Sequence, residues 1–244
     1  MQVEALAVQL RPRTMSEAVD LGVRLVQANM RSVWATFAPV YLLVAGIALA
    51  SSGIASWLPA LVILWLKPWL DRTLLFVLSR AVFGIPTRLA DVWAAQSQVW
   101  WSQLPATLSL RRFSPWRAFT QPVLQLEGQR GAAWRARRKV LLRGKQGAAL
   151  GMHGAFAQLE SLLMLGLVML AVWFAPSESR GSVFGAVFQG ENAIVSTLLS
   201  IAYAGVVLLV EPFYVGAGFA MYLNRRVELE AWDIEQEFRL AFAA

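Results

Sequence analysis

The stretch "LLVEPFYVGAGFAMYLNRRVELEAWDIE", Leu208–Glu235, decides the fold class of this 244-residue chain. Its first half has the apolar composition of a membrane-spanning helix, and no charged residue lies between Asn192 and Val210. A hydrocarbon core of about 30 Å requires roughly 20 such residues. The stretch also holds a carboxylate followed by a proline, Glu211-Pro212, and each is costly in a lipid-embedded helix. It therefore predicts a spanning helix that carries a buried acidic group.

The same apolar composition recurs along the chain. Hydrophobic residues make up 57% of the sequence and charged residues 15%, whereas soluble domains have about 45–50% and about 25%. Ser32–Leu66 and Ser161–Ser177 are further runs without a charge. We expect an all-α polytopic membrane protein with about four transmembrane helices plus interfacial amphipathic helices.

The first predicted segment, residues 1–84, combines an interfacial helix with a transmembrane hairpin. Thr14 and Glu17 form a capping box that starts an amphipathic helix. A span over Val33–Ala50 follows, and a return helix from about Ile54 ends at Gly84.

Residues 147–226 form the second predicted hairpin, and residues 227–244 an amphipathic cytoplasmic tail. The hairpin has spans over about Ala148–Ala175 and Asn192–Leu223, with an outer loop of Pro176 and "SESRGS" between them.

Residues 85–146 form a basic segment between the two hairpins. Eleven basic and two acidic residues lie there, which gives a net charge of +9. The positive-inside rule places this segment in the cytoplasm, and both termini with it. "TRLADVWAAQSQVWWSQL" predicts one amphipathic helix, and a loop broken by prolines, Pro122 among them, follows. "AAWRARRKVLLRGK" predicts a second helix, with Trp134, Val140 and Leu141 on its apolar side, that binds anionic phospholipids. No nucleic-acid-binding motif accompanies the charge.

The two return helices contain similar stretches. "LKPWLDRTLLFVLSRAVF" and "VEPFYVGAGFAMYLNRRV" align without a gap, which places Lys67 on Glu211 and suggests a two-fold pseudo-repeat. Lys67 and Glu211 would then lie at the same depth and could face each other. A static ion pair is one interpretation, and a polar pathway for an ion, a proton or a lipid headgroup is the other.

Other polar and small residues in the spans are candidates for a role. Lys67 and Asp71 are spaced for a pair on one helix face. His153 and Glu160 lie two turns apart, which allows either a proton relay or a polar position at headgroup level. Gly147 and Gly151 form a small-xxx-small pair that permits close helix packing. The oligomeric state stays open.

Motifs of catalysis and metal binding are missing from the sequence. The chain has no cysteine and one histidine, which excludes thiolate sites and a multi-histidine metal centre. It contains no G-x-S-x-G elbow, P-loop or H-E-x-x-H motif. We expect neither enzymatic activity nor a cofactor.

The C-terminal signature "YLNRRVELEAWDIE" carries a family resemblance. Arg226 and Glu230 can pair across one turn, Trp232 can anchor at the interface, and Asp233 can cap a following helix, so the stretch is a membrane-exit motif. With Tyr222 and Glu235, these residues resemble the terminal signature of the glycerophosphodiester phosphodiesterase membrane-domain family, although Ala231 replaces its usual glycine.

Together with "EAVDLG" and "KPWLDRTLLFVLSRAVFG", the chain resembles bacterial inner-membrane proteins encoded beside a MoxR-type AAA+ ATPase. The resemblance implies a subunit of an envelope-associated complex, with other inner-membrane subunits and a cytoplasmic AAA+ ATPase as partners. It implies no phosphodiesterase activity, because the catalytic barrel is absent. We therefore expect a non-enzymatic scaffolding or regulatory subunit. The alternative is a transporter, channel or lipid-handling protein with its polar site around Lys67 and Glu211.

Overall fold

The computed structural model describes residues 12–102, 104–109, 113–189 and 192–230. Every regular element in these ranges is helical, which confirms the all-α class. The helices are α1 Met15–Ala28, α2 Met30–Ala50, α3 Leu58–Ala81, α4 Leu89–Ala94, α5 Leu104–Leu108, α6 Arg117–Gln125, α7 Gly131–Leu142, α8 Gln146–Phe174, α9 Arg180–Gln189 and α10 Ala193–Glu230.

Among the described residues, three segments are long and apolar enough to cross a membrane: Met30–Gly53, Gln146–Phe174 and Ala193–Glu230. They correspond to three of the four predicted spans, and the chain is an all-α membrane protein. Helix α10 has 38 residues and is therefore about 57 Å long at 1.5 Å per residue. That is longer than a hydrocarbon core of about 30 Å, so its polar C-terminal turns extend beyond an apolar span.

The predicted return helix of the first hairpin forms as α3 but is not among those three segments. Within 24 residues it carries Lys67, Asp71, Arg72 and Arg80. The first three of these are buried in the protein, at 7%, 0% and 3% exposure. A helix with buried charges must lie among other protein elements, because lipid offers those charges no partners.

The chain divides into two compact units. Unit 1 consists of Met1–Phe37, Pro68–Gly154 and Pro212–Ala244, and unit 2 of Ala38–Lys67 and Ala155–Glu211. Because the borders fall inside α2, α3, α8 and α10, each of these helices contributes residues to both units.

Glycines let helices approach closely in unit 1. A Cβ atom on Gly22 of α1 would collide with the backbone of Gly216 in α10, and a Cβ on Gly218 would collide with Ala118 in α6. A Cβ on Gly216 would in turn lie 2.6 Å from Val26 Cγ2. Gly216 and Gly218 of α10 therefore allow the backbones of α1 and α6 to lie against the backbone of α10.

The predicted start of α1 is confirmed. Glu17 N donates to Thr14 Oγ1 at 3.3 Å, and Thr14 N donates to Glu17 Oε2 at 3.1 Å, which completes the capping box. The buried residues Ala18, Leu25 and Val26 form the inner face of the helix.

The central segment contains more helix than the prolines suggested. The predicted amphipathic helix is interrupted after α4 and continues as a π-helical turn over Ser97–Trp101. The predicted loop contains α6, which includes Pro122, because burial of Ala118–Val123 outweighs the lost backbone bond. The outer loop likewise contains α9, which begins at Arg180.

The predicted basic amphipathic helix is confirmed as α7, with one error on its apolar side. Trp134 and Leu141 are buried as expected, at 8% and 0% exposure. Val140 is 46% exposed, and Leu142 is buried in its place. The 100° turn per residue rotates Val140 outward beside Lys139.

Candidate functional site

Three charged side chains meet inside unit 2. We refer to Lys67, Glu160 and Glu211 as the buried charge cluster. Lys67 Nζ lies 2.8 Å from Glu160 Oε2 and 2.8 Å from Glu211 Oε2. The exposed fraction of the side chain is 9% for Lys67, 19% for Glu160 and 2% for Glu211. Since the residues come from α3, α8 and α10, the cluster joins three helices.

The cluster contains the pair that sequence reasoning proposed and a third member that it placed elsewhere. Lys67 and Glu211 lie within ion-pair distance, as the alignment of the two return helices suggested. The sequence had related Glu160 only to His153, as one of two alternatives. The signal for its role was present, because Glu160 is the only carboxylate in the 29 residues of α8. An isolated carboxylate in an apolar helix needs a partner from another element.

The cluster holds one cation for two carboxylates, so its formal charge is −1 when all three groups are ionised. Tyr41 and Tyr203 lie next to the cluster. The hydroxyl of Tyr41 donates a hydrogen bond to Ala204 O at 2.7 Å. A proton or a small cation bound at the second carboxylate would cancel the excess charge. No group of three or more His, Asp or Glu side chains suited to a metal ion occurs among the described residues.

Asp71 belongs to unit 1 and has its own partner there. Its carboxylate is fully buried, and Arg117 Nε lies 3.0 Å from its Oδ2 atom. Instead of pairing with each other, Lys67 and Asp71 form three ion pairs with residues of other helices. Spacing of four residues permits contact on a helix surface, but buried side chains turn toward the helices that cover them.

His153 also contacts a residue other than the predicted one. Its Nδ1 atom lies 3.0 Å from the hydroxyl of Tyr214, and the two rings are 5.7 Å apart. Of the two interpretations given for His153 and Glu160, a relay by direct contact is not what the structure shows. Seven residues of helix separate the two positions by about 10.5 Å, which is too far for direct contact.

A second charged network lies in unit 1 at the polar end of α10. We call Glu127, Arg137, Tyr222, Arg226 and Glu230 the exit network. Tyr222 donates to Glu127 Oε1 at 2.7 Å, and Arg137 Nε donates to Glu127 Oε2 at 2.9 Å. Arg137 also pairs with Glu230. The predicted Arg226–Glu230 pair is present at 2.6 Å.

Sequence reasoning missed two members of the exit network. Glu127 is the only acidic residue between Asp91 and Glu160, in the most basic part of the chain, and this isolation was the available signal. Its hydrogen bond with Arg137, together with Glu230, raises the pKa of the Arg137 guanidinium above its usual range. Trp232 and Asp233 of the predicted motif lie outside the described residues.

Gly147 and Gly151 do not pack against another helix in the described part of the chain. A Cβ atom on either glycine would meet nothing within 4 Å. The packing role of these two glycines therefore stays a prediction. The glycines that do admit a neighbouring helix are Gly22, Gly216 and Gly218, where the approach is backbone to backbone.

Comparison with family models, with curated proteins and with solved structures finds no match to this chain.

Proposed function

We propose that the chain is a non-enzymatic subunit of a bacterial inner-membrane complex, which it scaffolds or regulates by docking a protein partner. The docking surface is the outward side of α7. We define this basic face as Arg130, Arg135, Lys139 and Arg143, all of which are exposed. Among the described residues, no carboxylate pairs with these four side chains. An acidic protein surface is the complementary partner.

The observation that carries this proposal is the contrast between the two sides of α7. Its inner side is fixed by buried Trp134 and Leu141 and by Arg137, which pairs with Glu127 and Glu230. Fixing one side presents the other as a rigid surface. Basic side chains on a rigid element lose little further freedom on binding, which favours recognition of a partner.

Additional ion pairs hold the chain that follows α7. Lys145 Nζ lies 3.1 Å from Glu228 Oε1, and Arg225 lies 2.6 Å from Glu228 Oε2. Arg225 also donates to Arg143 O at 3.0 Å. The backbone at the end of the basic face is thus tied to α10, which supports a preformed surface.

The proposed kind of partner comes from the resemblance of the chain to bacterial inner-membrane proteins encoded beside a MoxR-type AAA+ ATPase. It suggests that the partners are other inner-membrane subunits and a cytoplasmic AAA+ ATPase. The net charge of +9 in residues 85–146 supports a cytoplasmic position for the basic face. Anionic phospholipids would surround the same region of the protein.

Neutralising the basic face tests the proposal. The variant Arg135→Gln/Lys139→Gln/Arg143→Gln removes three exposed charges, and Arg24→Gln/Arg31→Gln/Arg88→Gln removes three exposed charges elsewhere. We expect native gel electrophoresis of mild-detergent extracts to show a large complex with the wild type and the control. The basic-face variant should migrate as a smaller species. Equal migration of both variants would contradict the proposal.

The proposed orientation has its own test, since the chain lacks cysteine. Single cysteines at Ala136 and Ser182, both exposed, would be treated with an impermeant thiol reagent on intact spheroplasts. We expect labelling at Ser182 and none at Ala136 until the membrane is opened. The reverse pattern would overturn the orientation.

A second candidate function rests on the excess carboxylate of the buried charge cluster. A group that gains and loses a proton or a cation at this position could serve a transport path. Reconstituted vesicles with an internal pH indicator would test it. Proton flux that is lost in Glu160→Gln would support transport, and no flux with the wild type would exclude proton transport.

A further inference from the structure

A cavity of about 290 Å³ lies within unit 1, bounded by residues of α3, α6 and α7. Its walls include three arginines, Arg72, Arg117 and Arg138, one from each of these helices. Hydroxyl and amide groups of Thr107 and Gln121 also line it. No carboxylate is among the lining residues. The polar part of the wall is thus positively charged, and most of the remaining wall is apolar.

Arg72 is the most deeply buried of the three arginines, at 3% exposure. Within the described residues its guanidinium bonds only to neutral oxygens: Val99 O at 2.5 Å, Gln98 O at 3.0 Å and Thr107 Oγ1 at 2.9 Å. A buried charge without a counter-charge is costly. An anion in the adjacent cavity would supply that counter-charge.

Arg117 and Arg138 are held in place by other contacts. Arg117 pairs with Asp71 at 3.0 Å and lies over the ring of Tyr214. Arg138 lies over the rings of Trp116 and Trp134, at 5.3 and 5.6 Å from their centroids. Asp71 balances one of the three arginine charges. Because the partners of Arg72 among the described residues are all neutral, the wall of the cavity keeps positive charge, on side chains whose positions are fixed.

We propose that this cavity binds a phosphate group, carried by an anionic phospholipid or by a soluble phosphate ester. The planar fork of an arginine matches two oxygens of a phosphate, and the pairing of arginine with phosphate is favoured over that of lysine. The volume lies at the lower end of the range for small-molecule sites and suits a headgroup. Pro68, Leu124 and Trp134 provide apolar walls for a glycerol or acyl portion.

This site is separate from the basic face proposed for docking. The cavity uses Arg138 on the inner side of α7, whereas Arg135 belongs to the exposed outer side. The two arginines lie three residues apart on one helix, so they form a matched pair for substitution. Removing either one changes the net charge by the same amount, and only Arg138 lines the cavity.

Lipid binding is tested by native mass spectrometry of the full chain, released from detergent micelles. Phosphatidylglycerol and zwitterionic phosphatidylcholine would be added at equal concentration. We expect one phosphatidylglycerol to remain bound with at least tenfold higher affinity than phosphatidylcholine. Arg138→Gln should weaken the binding about tenfold, since a hydrogen bond to a charged group is lost. Arg135→Gln should bind as the wild type does.

Binding of soluble phosphates is tested by comparing the unfolding temperature in sodium phosphate with that in sodium chloride of equal ionic strength. Glycerol 1-phosphate serves as a second probe. Stabilisation by phosphate in the wild type and in Arg135→Gln, but not in Arg138→Gln, supports a site open to soluble phosphates. Phosphatidylglycerol binding without this stabilisation identifies a lipid headgroup site. The absence of both effects in the wild type, or equal loss in the two variants, would overturn the proposal.

Discussion

The buried charge cluster of unit 2 and the exit network of unit 1 both compensate charged side chains inside the protein, but with different numbers of cations for each carboxylate. In the cluster one cation, Lys67, serves two carboxylates, and side-chain exposure does not exceed 19%. In the exit network two arginines face two carboxylates, and a phenol adds a hydrogen bond. There the four charged side chains are 12–25% exposed.

The difference lies in redundancy. Each carboxylate of the exit network has two arginines within 4 Å, so the loss of one arginine leaves the other in place. In the cluster, both carboxylates share one ammonium group. The cluster should therefore be more sensitive to substitution of Lys67 than to substitution of either carboxylate.

Replacing Lys67 with Met should have the largest effect. It removes the cation that two buried carboxylates share, and losing the partner of a buried charge costs about 3–5 kcal/mol. A cost of this size lowers the unfolding temperature by about 6–20 °C in a chain of this length. Differential scanning fluorimetry of the detergent-solubilised variants measures the shift.

Recovery in combined variants provides the control for Lys67. The triple variant Lys67→Met/Glu160→Gln/Glu211→Gln removes all three charges and should regain most of the lost stability. The double variant Lys67→Met/Glu211→Gln keeps the carboxylate of Glu160 and should regain only part. Full recovery in the double variant would show that Glu160 does not belong to the cluster.

Replacing Glu211 with Gln should have a smaller effect than replacing Lys67. The remaining Lys67–Glu160 pair is electrically balanced, so the cost is a lost charge-assisted hydrogen bond, about 1–3 kcal/mol. Glu160→Gln should cost less than Glu211→Gln, since Glu160 is the more exposed side chain. The same fluorimetry ranks the three variants. A loss in Glu211→Gln equal to that in Lys67→Met would contradict the shared-cation arrangement.

Replacing Arg226 with Gln in the exit network should lower stability by about 1 kcal/mol or less. Arg137 continues to pair with Glu230, and partly exposed ion pairs contribute little. The double variant Arg137→Gln/Arg226→Gln should lose more than the sum of the single losses, because the redundancy is then gone. A double-mutant cycle by chemical unfolding measures this coupling. Simple additivity would show that the arginines act independently.

The smallest expected effect is a difference in salt dependence between the exit network and the buried charge cluster. Between 50 mM and 500 mM KCl, the stability difference between the wild type and Arg226→Gln should shrink, because salt screens partly exposed charges. The difference between the wild type and Lys67→Met should stay constant, because ions do not reach a buried pair. Parallel unfolding curves at the two salt concentrations test both statements.

The sequence was sufficient for the helical class, for three of the four apolar spans and for the proximity of Lys67 and Glu211. Charge-free runs depend on composition alone, and the alignment of the two Pro-containing stretches gave the depth of both residues. The capping box at Thr14 and Glu17 was also readable, since it depends on neighbours within one turn.

The spacing of residues within one helix could not predict contacts between residues that are distant in the sequence. The assignments of Asp71 and His153 assumed that a polar residue pairs with the nearest one on its own helix. In unit 1 they contact Arg117 and Tyr214, which are 46 and 61 residues away in the chain. Which face of a helix is covered, and by what, depends on packing such as that of Gly22 against Gly216, and no local pattern encodes it.

Site-specific photocrosslinking in cells tests the central claim, that the outward side of α7 docks a protein partner. A photoreactive residue would replace Ala136, which is exposed between Arg135 and Lys139, and the control would replace Leu165 on α8, which is 49% exposed. We predict a discrete protein adduct at Ala136 that disappears with Arg135→Gln/Lys139→Gln/Arg143→Gln, and none at Leu165. Lipid adducts alone at Ala136, or a protein adduct unchanged by the three substitutions, would contradict the claim.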